Sequence, residues 1–257
     1  MFNSLKAVLC ILVLCSLYGC ETTTFSTMTP AESEKLAQIN TELAFQYIQQ
    51  RRYDTALDTL ENALRIKPSY PHAHNAMGLL RIQLDQIEEA EASFKRAISL
   101  APEDPATLNN YGQFLCRQKR YDEGDTLFRK AFENPLYMRP AVALSNAGTC
   151  SSAKGDLEKA EAYFRLALGE DPYLTAVLLQ MAEVSHRKHR FRVAESYLQR
   201  YEAVGPRTPE SLWLGIQIAR ALENLDKISS YGLLLEKAFP DSSQTSLYLK
   251  SKTPSNP

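Results

Sequence analysis

The sequence predicts an all-α fold, a right-handed superhelical solenoid of about six helix-turn-helix repeats. Two periodic patterns carry this prediction. Small residues recur with a period of 34, first at Ala56, Ala90 and Gly124 and, after a two-residue insertion, at Ala160 and Ala194. Prolines keep the same period at Pro68 and Pro102, and again at Pro172, Pro206 and Pro240. Because proline cannot continue a helix, each of these prolines is expected to close one repeat.

The cleanest copy of the unit spans residues 71–104. Its positions 8, 20, 24, 27 and 32 are Gly78, Ala90, Phe94, Ala97 and Pro102. This pattern is that of a tetratricopeptide repeat, in which two antiparallel helices cross so closely that only Gly or Ala fits at the contact points. Larger apolar residues fill the space beside those contacts, so a row of such units buries a core that neighbouring repeats share.

The register places the repeats at 37–70, 71–104, 105–138, 141–174, 175–208 and 209–242, within a solenoid over 31–250. Thr29 and Glu32 have the spacing of a capping box, so residues 31–36 are expected to extend the first helix. The sixth repeat departs from the pattern, because Ile216 and Gly232 do not match the residues at the same positions of the other repeats. The chain after Ser246 is expected to fray, and residues 251–257 are expected to form a disordered tail.

The N-terminus has the features of a bacterial lipoprotein signal. A positive residue precedes an apolar run at 7–17 that is too short to span a bilayer as a mature helix. The run ends on Leu-Tyr-Gly-Cys at 17–20, which resembles a lipobox, the motif whose cysteine is acylated and becomes the first mature residue. The sequence therefore predicts a signal peptide over 1–19, an acylated Cys20 and a flexible tether over 20–30. An ordinary secretory signal that is cut elsewhere is the alternative.

The residue after this cysteine bears on the membrane that the protein reaches. It is Glu21, not the Asp that retains many Gram-negative lipoproteins at the inner membrane. The expected address is therefore the periplasmic face of the outer membrane. Two or three acyl chains anchor a protein firmly, since each buried methylene contributes about 0.8 kcal/mol.

Charge and motifs weigh against several classes of function. The net charge is −1, so no basic surplus indicates nucleic acid. On a helix, His72 and His74 point to different faces, while His186 and His189 lie among arginine and lysine, so we expect no metal site. The sequence has no glycine-rich phosphate loop and no Ser-His-Asp order typical of hydrolases. We therefore expect no enzyme, no cofactor apart from the covalent lipid and no small-molecule substrate.

Two cysteines, Cys116 and Cys150, remain after the signal is removed and Cys20 is acylated. They lie at positions 12 and 10 of the first helices of adjacent repeats, which pack side by side. In an oxidising compartment such a pair forms a structural disulfide when its Cα atoms lie within about 7 Å. Two buried free thiols are the alternative at this point.

Surface recognition is the remaining class of function. In a tetratricopeptide solenoid, positions 2, 5, 9 and 12 of each first helix line the concave surface. The apolar candidates at these positions are Phe45, Ile48, Leu79 and Ile82. The polar candidates, at the fifth or sixth position of repeats three and four, include Asn109, Asn110 and Asn146. Their amides offer donors and acceptors to a peptide backbone, so we expect a protein-binding groove here. Alternatively, residues 31–36 cover its apolar part.

Repeats three and four carry a more specific pattern. It consists of Asn109-Asn110-Tyr111-Gly112-x-Phe114-Leu115-Cys116, then Pro135-x-Tyr137, then Asn146-x-Gly148-x-Cys150. With the lipobox, this pattern closely resembles the PilF/PilW family of type IV pilus biogenesis lipoproteins, whose members carry cysteines at both matching positions. The resemblance implies a pilotin, which binds subunits of the secretin PilQ and promotes their outer-membrane localisation and multimerisation. A periplasmic scaffold for other cell-envelope or peptidoglycan assembly proteins is the second hypothesis.

Overall fold

The computed structural model describes residues 28–252. Over this range the chain forms thirteen α-helices and no β-strand. In chain order they are α1 (Pro30–Gln49), α2 (Tyr53–Ile66), α3 (Pro71–Gln83), α4 (Ile87–Leu100), α5 (Pro105–Arg117), α6 (Tyr121–Glu133), α7 (Pro140–Lys154), α8 (Leu157–Glu170), α9 (Thr175–Arg187), α10 (Phe191–Val204), α11 (Pro209–Ala221), α12 (Leu225–Ala238) and α13 (Ser243–Lys252). None of these thirteen is long and apolar enough to cross a bilayer.

The first twelve helices form six antiparallel pairs, and each pair is one repeat. The second helix of a repeat also packs against the first helix of the next repeat. Neighbouring first helices contact each other as well, whereas no two second helices do so between residues 28 and 252. The side formed by the first helices is therefore the inner, concave side of the curve. The predicted all-α tetratricopeptide solenoid is confirmed.

Local signals determine where the helices begin. The predicted capping box is present, because Thr29 Oγ1 accepts from the N–H of Glu32 at 3.2 Å and the Glu32 carboxylate accepts from the N–H of Thr29 at 2.8 Å. Helix α1 is then continuous from Pro30, so residues 31–36 extend it as expected. Proline also starts α3, α5, α7 and α11, where its missing N–H is one that a helix would leave unpaired in any case.

The turns inside the repeats share one backbone conformation. Five of them contain a residue other than glycine with positive φ, namely Arg51, Asp85, Lys119, His189 and Glu223. The turn of repeat four uses Gly155, with φ of 93°. A left-handed residue ends the first helix and reverses the chain, so the second helix starts within two or three residues.

Glycine–phenylalanine contacts hold the two helices of the central repeats together. A Cβ atom on Gly78 would lie 2.8 Å from the Phe94 ring, and one on Gly112 would lie 2.8 Å from the Phe128 ring. Both rings are fully buried. The periodic small residues therefore mark places where the helices leave no room for a side chain.

Repeat six makes the glycine–aromatic contact one residue earlier in each helix, since a Cβ atom on Gly215 would lie 2.9 Å from the Tyr231 ring. Ile216 is fully buried in α11, at the position where earlier repeats have Gly or Ala. Gly232 lies in α12, where earlier repeats have Phe or Leu. The ring of Tyr248, from α13, occupies the space above Gly232 and is 3% exposed. The mismatches at Ile216 and Gly232 therefore reflect a displaced contact and not a loss of structure.

Helix α13 corrects the expectation that the chain frays after Ser246. Thr245 Oγ1 donates to the carbonyl of Phe239 at 2.7 Å, and the N–H of Thr245 donates to Ser242 Oγ at 3.1 Å. These bonds fix the start of the helix, and the buried Tyr248 holds it on the solenoid. The helix ends at Lys252, so the first two residues of the expected tail are helical, while residues 253–257 lie outside the described range.

Ion pairs tie neighbouring repeats together. The Glu91 carboxylate of α4 lies 2.8 Å from Lys95 Nζ and 2.7 Å from Arg120 Nη1 in the turn of repeat three. These two cations lower the pKa of Glu91 to about 2. In α8 the buried Glu161 lies 2.5 Å from Lys188 Nζ and 2.8 Å from Arg190 Nη2, both in the turn of repeat five. Although burial raises the pKa of Glu161, the two cations keep it below its ordinary value.

Candidate protein-binding groove

The apolar candidates lie on the concave side, on α1 and α3, which pack directly against each other. Phe45 and Ile48 are half-buried against the core of repeat one. Leu79 and Ile82 are half-buried against a second core cluster that contains Phe94. All four side chains therefore pack against the core and remain partly exposed at the surface.

The leading residues of α1 bear on whether this trough is open. Residues 31–36 form the first turns of α1 and continue its axis. They therefore extend the helix beyond the groove instead of folding back over Phe45 and Ile48.

The polar candidates form a ladder of amides across three first helices. Asn146 Nδ2 donates to Asn109 Oδ1 at 2.8 Å, and Asn110 Nδ2 donates to Asn75 Oδ1 at 3.2 Å. Asn109 Nδ2 donates to Asn110 Oδ1 at 3.4 Å. Asn109 is only 5% exposed, which corrects its expected role: it orients its neighbours because its own amide is used inside the protein. Asn110 and Asn146 are half-buried and present their remaining bonding capacity to the groove.

A disulfide bond lies at the centre of the groove. It joins Cys116 and Cys150, whose Cα atoms are 5.7 Å apart, and is the first of the two alternatives that the sequence left open. A cavity of about 340 Å³ opens beside it, lined by Gln113, Cys116, Arg117, Phe128, Asn146, Thr149, Cys150 and Ala153. The bridge and the phenyl ring supply an apolar floor, while amide, hydroxyl and guanidinium groups stand around it. Such a cavity suits a short side chain together with its peptide groups.

A second cavity continues the groove into repeats five and six. It measures about 420 Å³ and is lined by Leu179, Glu183, His186, Arg187, Glu210, Trp213, Leu214, Gln217 and Gln244. Trp213 is the one tryptophan of the chain, and the Arg220 guanidinium lies 5.6 Å from the centre of its ring. Arg187 Nη1 donates to Ser152 Oγ at 2.9 Å, so this wall is tied to repeat four. The groove thus extends into repeat six, whose sequence departs most from the repeat pattern.

Two histidines, His74 and His186, have pKa values lowered by burial. Burial, together with the neighbouring His189, lowers the pKa of His186, whose ring lies 5.6 Å from that of Phe191. Burial also lowers the pKa of His74, whose Nε2 lies 2.8 Å from the carbonyl oxygen of Pro68. Between residues 28 and 252, no three His, Cys, Asp or Glu side chains come together as a group that could hold a metal ion.

Sequence reasoning missed part of this surface, although a signal was available. The missed residues at position 9 of their repeats are Gln113, Thr149, Glu183 and Gln217, and those at position 5 include Asn75 and Trp213. These are the columns that identified Phe45, Leu79 and Asn109. Applying the same positions to every repeat, whatever the residue type, finds these residues of the groove. The predicted lipidation site, Cys20, lies outside the described residues, so its acylation stays a prediction.

Comparison with known proteins agrees with the repeat architecture. Family models described as tetratricopeptide repeat match residues 103–169 and 71–104, and one described as TPR repeat matches residues 46–85. These ranges contain repeats two and three and most of repeat four.

Relatives with similarity along most of the chain identify the family. The type IV pilus assembly protein PilF of Pseudomonas aeruginosa is 28% identical over 243 residues, which cover 93% of this chain and 96% of PilF. The solved structure of PilF from that organism has 27% identity and a TM-score of 0.77, covering 86% of this chain and 99% of PilF. The crystal structure of PilW, a widely conserved type IV pilus biogenesis factor, has 31% identity and a TM-score of 0.79, covering 83% of this chain and 98% of PilW. The chain therefore belongs to the PilF/PilW family of type IV pilus biogenesis tetratricopeptide repeat proteins.

Proposed function

We propose that this protein is a pilotin, a non-enzymatic lipoprotein of the outer membrane that binds subunits of the type IV pilus secretin PilQ. In this proposal it brings PilQ to the outer membrane and promotes its multimerisation, on which pilus biogenesis and twitching motility depend. Membership of the PilF/PilW family supports a role in pilus assembly. The concave groove supports a role in binding a protein.

The observation that carries the binding role is the composition of the groove. It offers half-buried apolar side chains on α1 and α3, a ladder of amides across α3, α5 and α7, and two open cavities. Amides at regular spacing can pair with the backbone of an extended segment, and the cavities can accept its side chains. A segment of PilQ is the occupant that we propose.

In this proposal the lipid attached to Cys20 determines the membrane at which the protein is anchored. Acylation of Cys20 would hold the protein on the membrane through a tether that joins the exposed start of α1. Because the tether ends at the edge of the solenoid, the concave side stays accessible to a partner. The mechanism is passive: the groove holds the cargo, and the acyl chains determine the membrane at which it arrives.

The groove can be tested with a matched pair of substitutions in the full mature protein. Thr149 is exposed at the centre of the groove, so Thr149→Arg places a long charged side chain in the 340 Å³ cavity without disturbing the core. Ala162→Arg adds the same side chain to an exposed position of the second helix of that repeat. Calorimetric titration with purified PilQ should show at least a tenfold weaker Kd for Thr149→Arg and an unchanged Kd for Ala162→Arg. Equal affinities for the two variants would exclude the groove.

Phe45→Ala tests the apolar end of the groove. An apolar anchor in an interface typically contributes about 2 kcal/mol, so binding of PilQ should weaken about thirtyfold. The ring is half-buried against the core of repeat one, so circular dichroism must show that the variant stays helical. Unfolding would assign Phe45 to the core alone, and normal binding would move the contact to Asn110 and Asn146.

The anchor is tested in cells with Cys20→Ala. The variant should leave the outer membrane, and PilQ should then appear at the inner membrane in fractionated cells. A variant that is still recovered with the outer membrane would refute the lipid anchor. Loss of PilQ multimers on deletion would support the pilotin proposal, whereas intact pili with altered cell-wall composition would favour the scaffold for envelope or peptidoglycan enzymes.

A further inference from the structure

The loop between α6 and α7 exposes two large apolar side chains. Leu136 is 82% exposed and Met138 is 90% exposed. Tyr137, between them, packs against a core cluster that contains Leu108 and Ala143. Residues 135–136 form a turn, and the tyrosine that follows it packs inward while both of its neighbours remain exposed.

The loop is held in this conformation by hydrogen bonds. Asn134 Oδ1 accepts from the N–H of Leu136 at 2.9 Å, and Asn134 O accepts from the N–H of Tyr137 at 3.0 Å. Asn134 Nδ2 donates to the carbonyl oxygen of Glu103, in the preceding loop of the same edge, at 2.9 Å. The exposure of Leu136 and Met138 is therefore built into the fold.

The next loop repeats the arrangement. Tyr173 is 71% exposed, and its N–H donates to Asp171 Oδ1 at 2.9 Å. Leu136 and Tyr173 each follow the proline that closes their repeat. The residues after the corresponding prolines of the other repeats are polar, namely Ser69, Glu103, Arg207 and Asp241. We call Leu136, Met138 and Tyr173 the loop patch; its apolar character is confined to two consecutive loops.

The loop patch lies on the edge of the solenoid from which the N-terminal segment departs. In antiparallel repeats, every loop that joins a second helix to the next first helix lies at the edge where the first helices begin. Helix α1 begins at that same edge, and its Glu34 pairs with Lys67 of the first such loop at 2.6 Å. The chain that leads back to Cys20 therefore leaves from the edge that carries the loop patch.

We propose that the loop patch inserts into the surface of the phospholipid bilayer in which the acyl chains of Cys20 are anchored. This inference rests on the proposed lipidation. Leucine and methionine suit the acyl region, tyrosine suits the boundary with the headgroups, and the exposed Arg139 beside Met138 suits a lipid phosphate. Nine residues separate the acylated cysteine from α1 and span at most about 35 Å, which keeps this edge close to the membrane.

The position of the patch can be measured in the full lipidated protein, reconstituted into phosphatidylethanolamine–phosphatidylglycerol vesicles. Once Cys20 is acylated and Cys116 and Cys150 are joined, an introduced cysteine is the one free thiol. Met138→Cys and the matched control Gln83→Cys, exposed at the opposite edge, are each labelled with the environment-sensitive dye NBD. At position 138 the emission should shift to the blue, and lipid-borne doxyl groups should quench it at least threefold more than at position 83.

A second substitution links the signal to the apolar patch. Leu136→Glu in the Met138→Cys background should return the emission to its aqueous value, because a carboxylate opposes insertion. Folding should be unaffected, since Leu136 is 82% exposed. Protein that floats with the vesicles while position 138 behaves like position 83 overturns the inference but leaves the anchor intact. Protein that fails to float overturns both, and a blue shift seen only after PilQ is added assigns the patch to a protein partner and overturns it as well.

Discussion

The ring of Phe164 lies directly against the bare Cα of Gly148, so that a Cβ atom on Gly148 would stand 2.5 Å from two of the ring carbons. Phe164 is fully buried and cannot turn away. Gly148→Ala should therefore force the two helices of repeat four apart and lower the free energy of unfolding by about 1–3 kcal/mol. Urea denaturation followed by circular dichroism measures the change.

Gly169→Ala is the matched control for this substitution. Gly169 lies in α8 of the same repeat, and a Cβ atom there would meet nothing within 4 Å. Alanine should raise the free energy of unfolding by about 0.5–1 kcal/mol, since glycine has more freedom to lose in a helix. A loss of stability equal to that of Gly148→Ala would show that the close contact is not the cause.

The disulfide should contribute stability without determining the fold. Replacing both cysteines, by Cys116→Ser and Cys150→Ser, should lower the free energy of unfolding by about 2–4 kcal/mol, the usual range for a bridge that closes a loop of this length. The variant should keep its helical circular dichroism. Denatured protein that was isolated without a reductant should resist alkylation, and two freely alkylated thiols would contradict the bridge.

Stability should fall in acid as Glu91 takes up a proton. Lys95 and Arg120 lower its pKa in the folded protein from 4.5 to about 2. A carboxyl group whose pKa is lower in the folded than in the unfolded protein stabilises the fold at pH values above the unfolded pKa. The contribution of Glu91 is therefore complete above pH 4.5 and is lost as the pH falls towards 2. Urea midpoints measured from pH 7 to pH 2.5 should fall less steeply in Glu91→Gln than in the parent. Glu88→Gln, at an exposed position of the same helix, should keep the parent slope.

Tyr248 should hold the C-terminal end of the solenoid closed. Tyr248→Ala empties the space above Gly232, so α13 and repeat six should exchange their amide hydrogens faster. Repeats one to three should be unaffected, because each repeat contacts only its neighbours. Leu247→Ala, at a half-exposed position of α13, is the control and should leave exchange unchanged. Uniformly faster exchange along the chain would argue for one cooperative unit instead.

Periodicity made most of the fold predictable from the sequence. Contacts such as that of Gly78 with Phe94 recur because the two helices of each repeat pack in the same way. One alignment of the repeats therefore locates the helices of repeats one to five. Repeat six escaped this reasoning because its contact lies one residue earlier in each helix, between Gly215 and Tyr231. Their fit becomes visible only when both helices are placed together.

The positions of the groove residues could be predicted from the sequence, but the role of each residue could be predicted less well. The buried amide of Asn109 could not be told from an exposed one, since its partner Asn146 lies 37 residues away in the sequence. Phe45 was expected at the surface, yet its ring is partly buried against the core of repeat one. A side chain on the concave side that lies close to a helix–helix contact can touch both the core and the solvent. Cavities such as the one beside Trp213 arise from the spacing of neighbouring repeats, which no single column encodes.

The covalent link between α5 and α7 has a mechanical consequence. Repeat arrays bend through small rotations at the joints between neighbouring units, and these rotations add along the array. A bond on the inner side, with Cα atoms 5.7 Å apart, bars the joint between repeats three and four from opening. We therefore expect the repeats on either side of this joint to bend, while the joint itself stays fixed. The distance between α5 and α7 at the bridge therefore stays constant while the repeats on either side bend, and reduction of the bridge would free this joint as well.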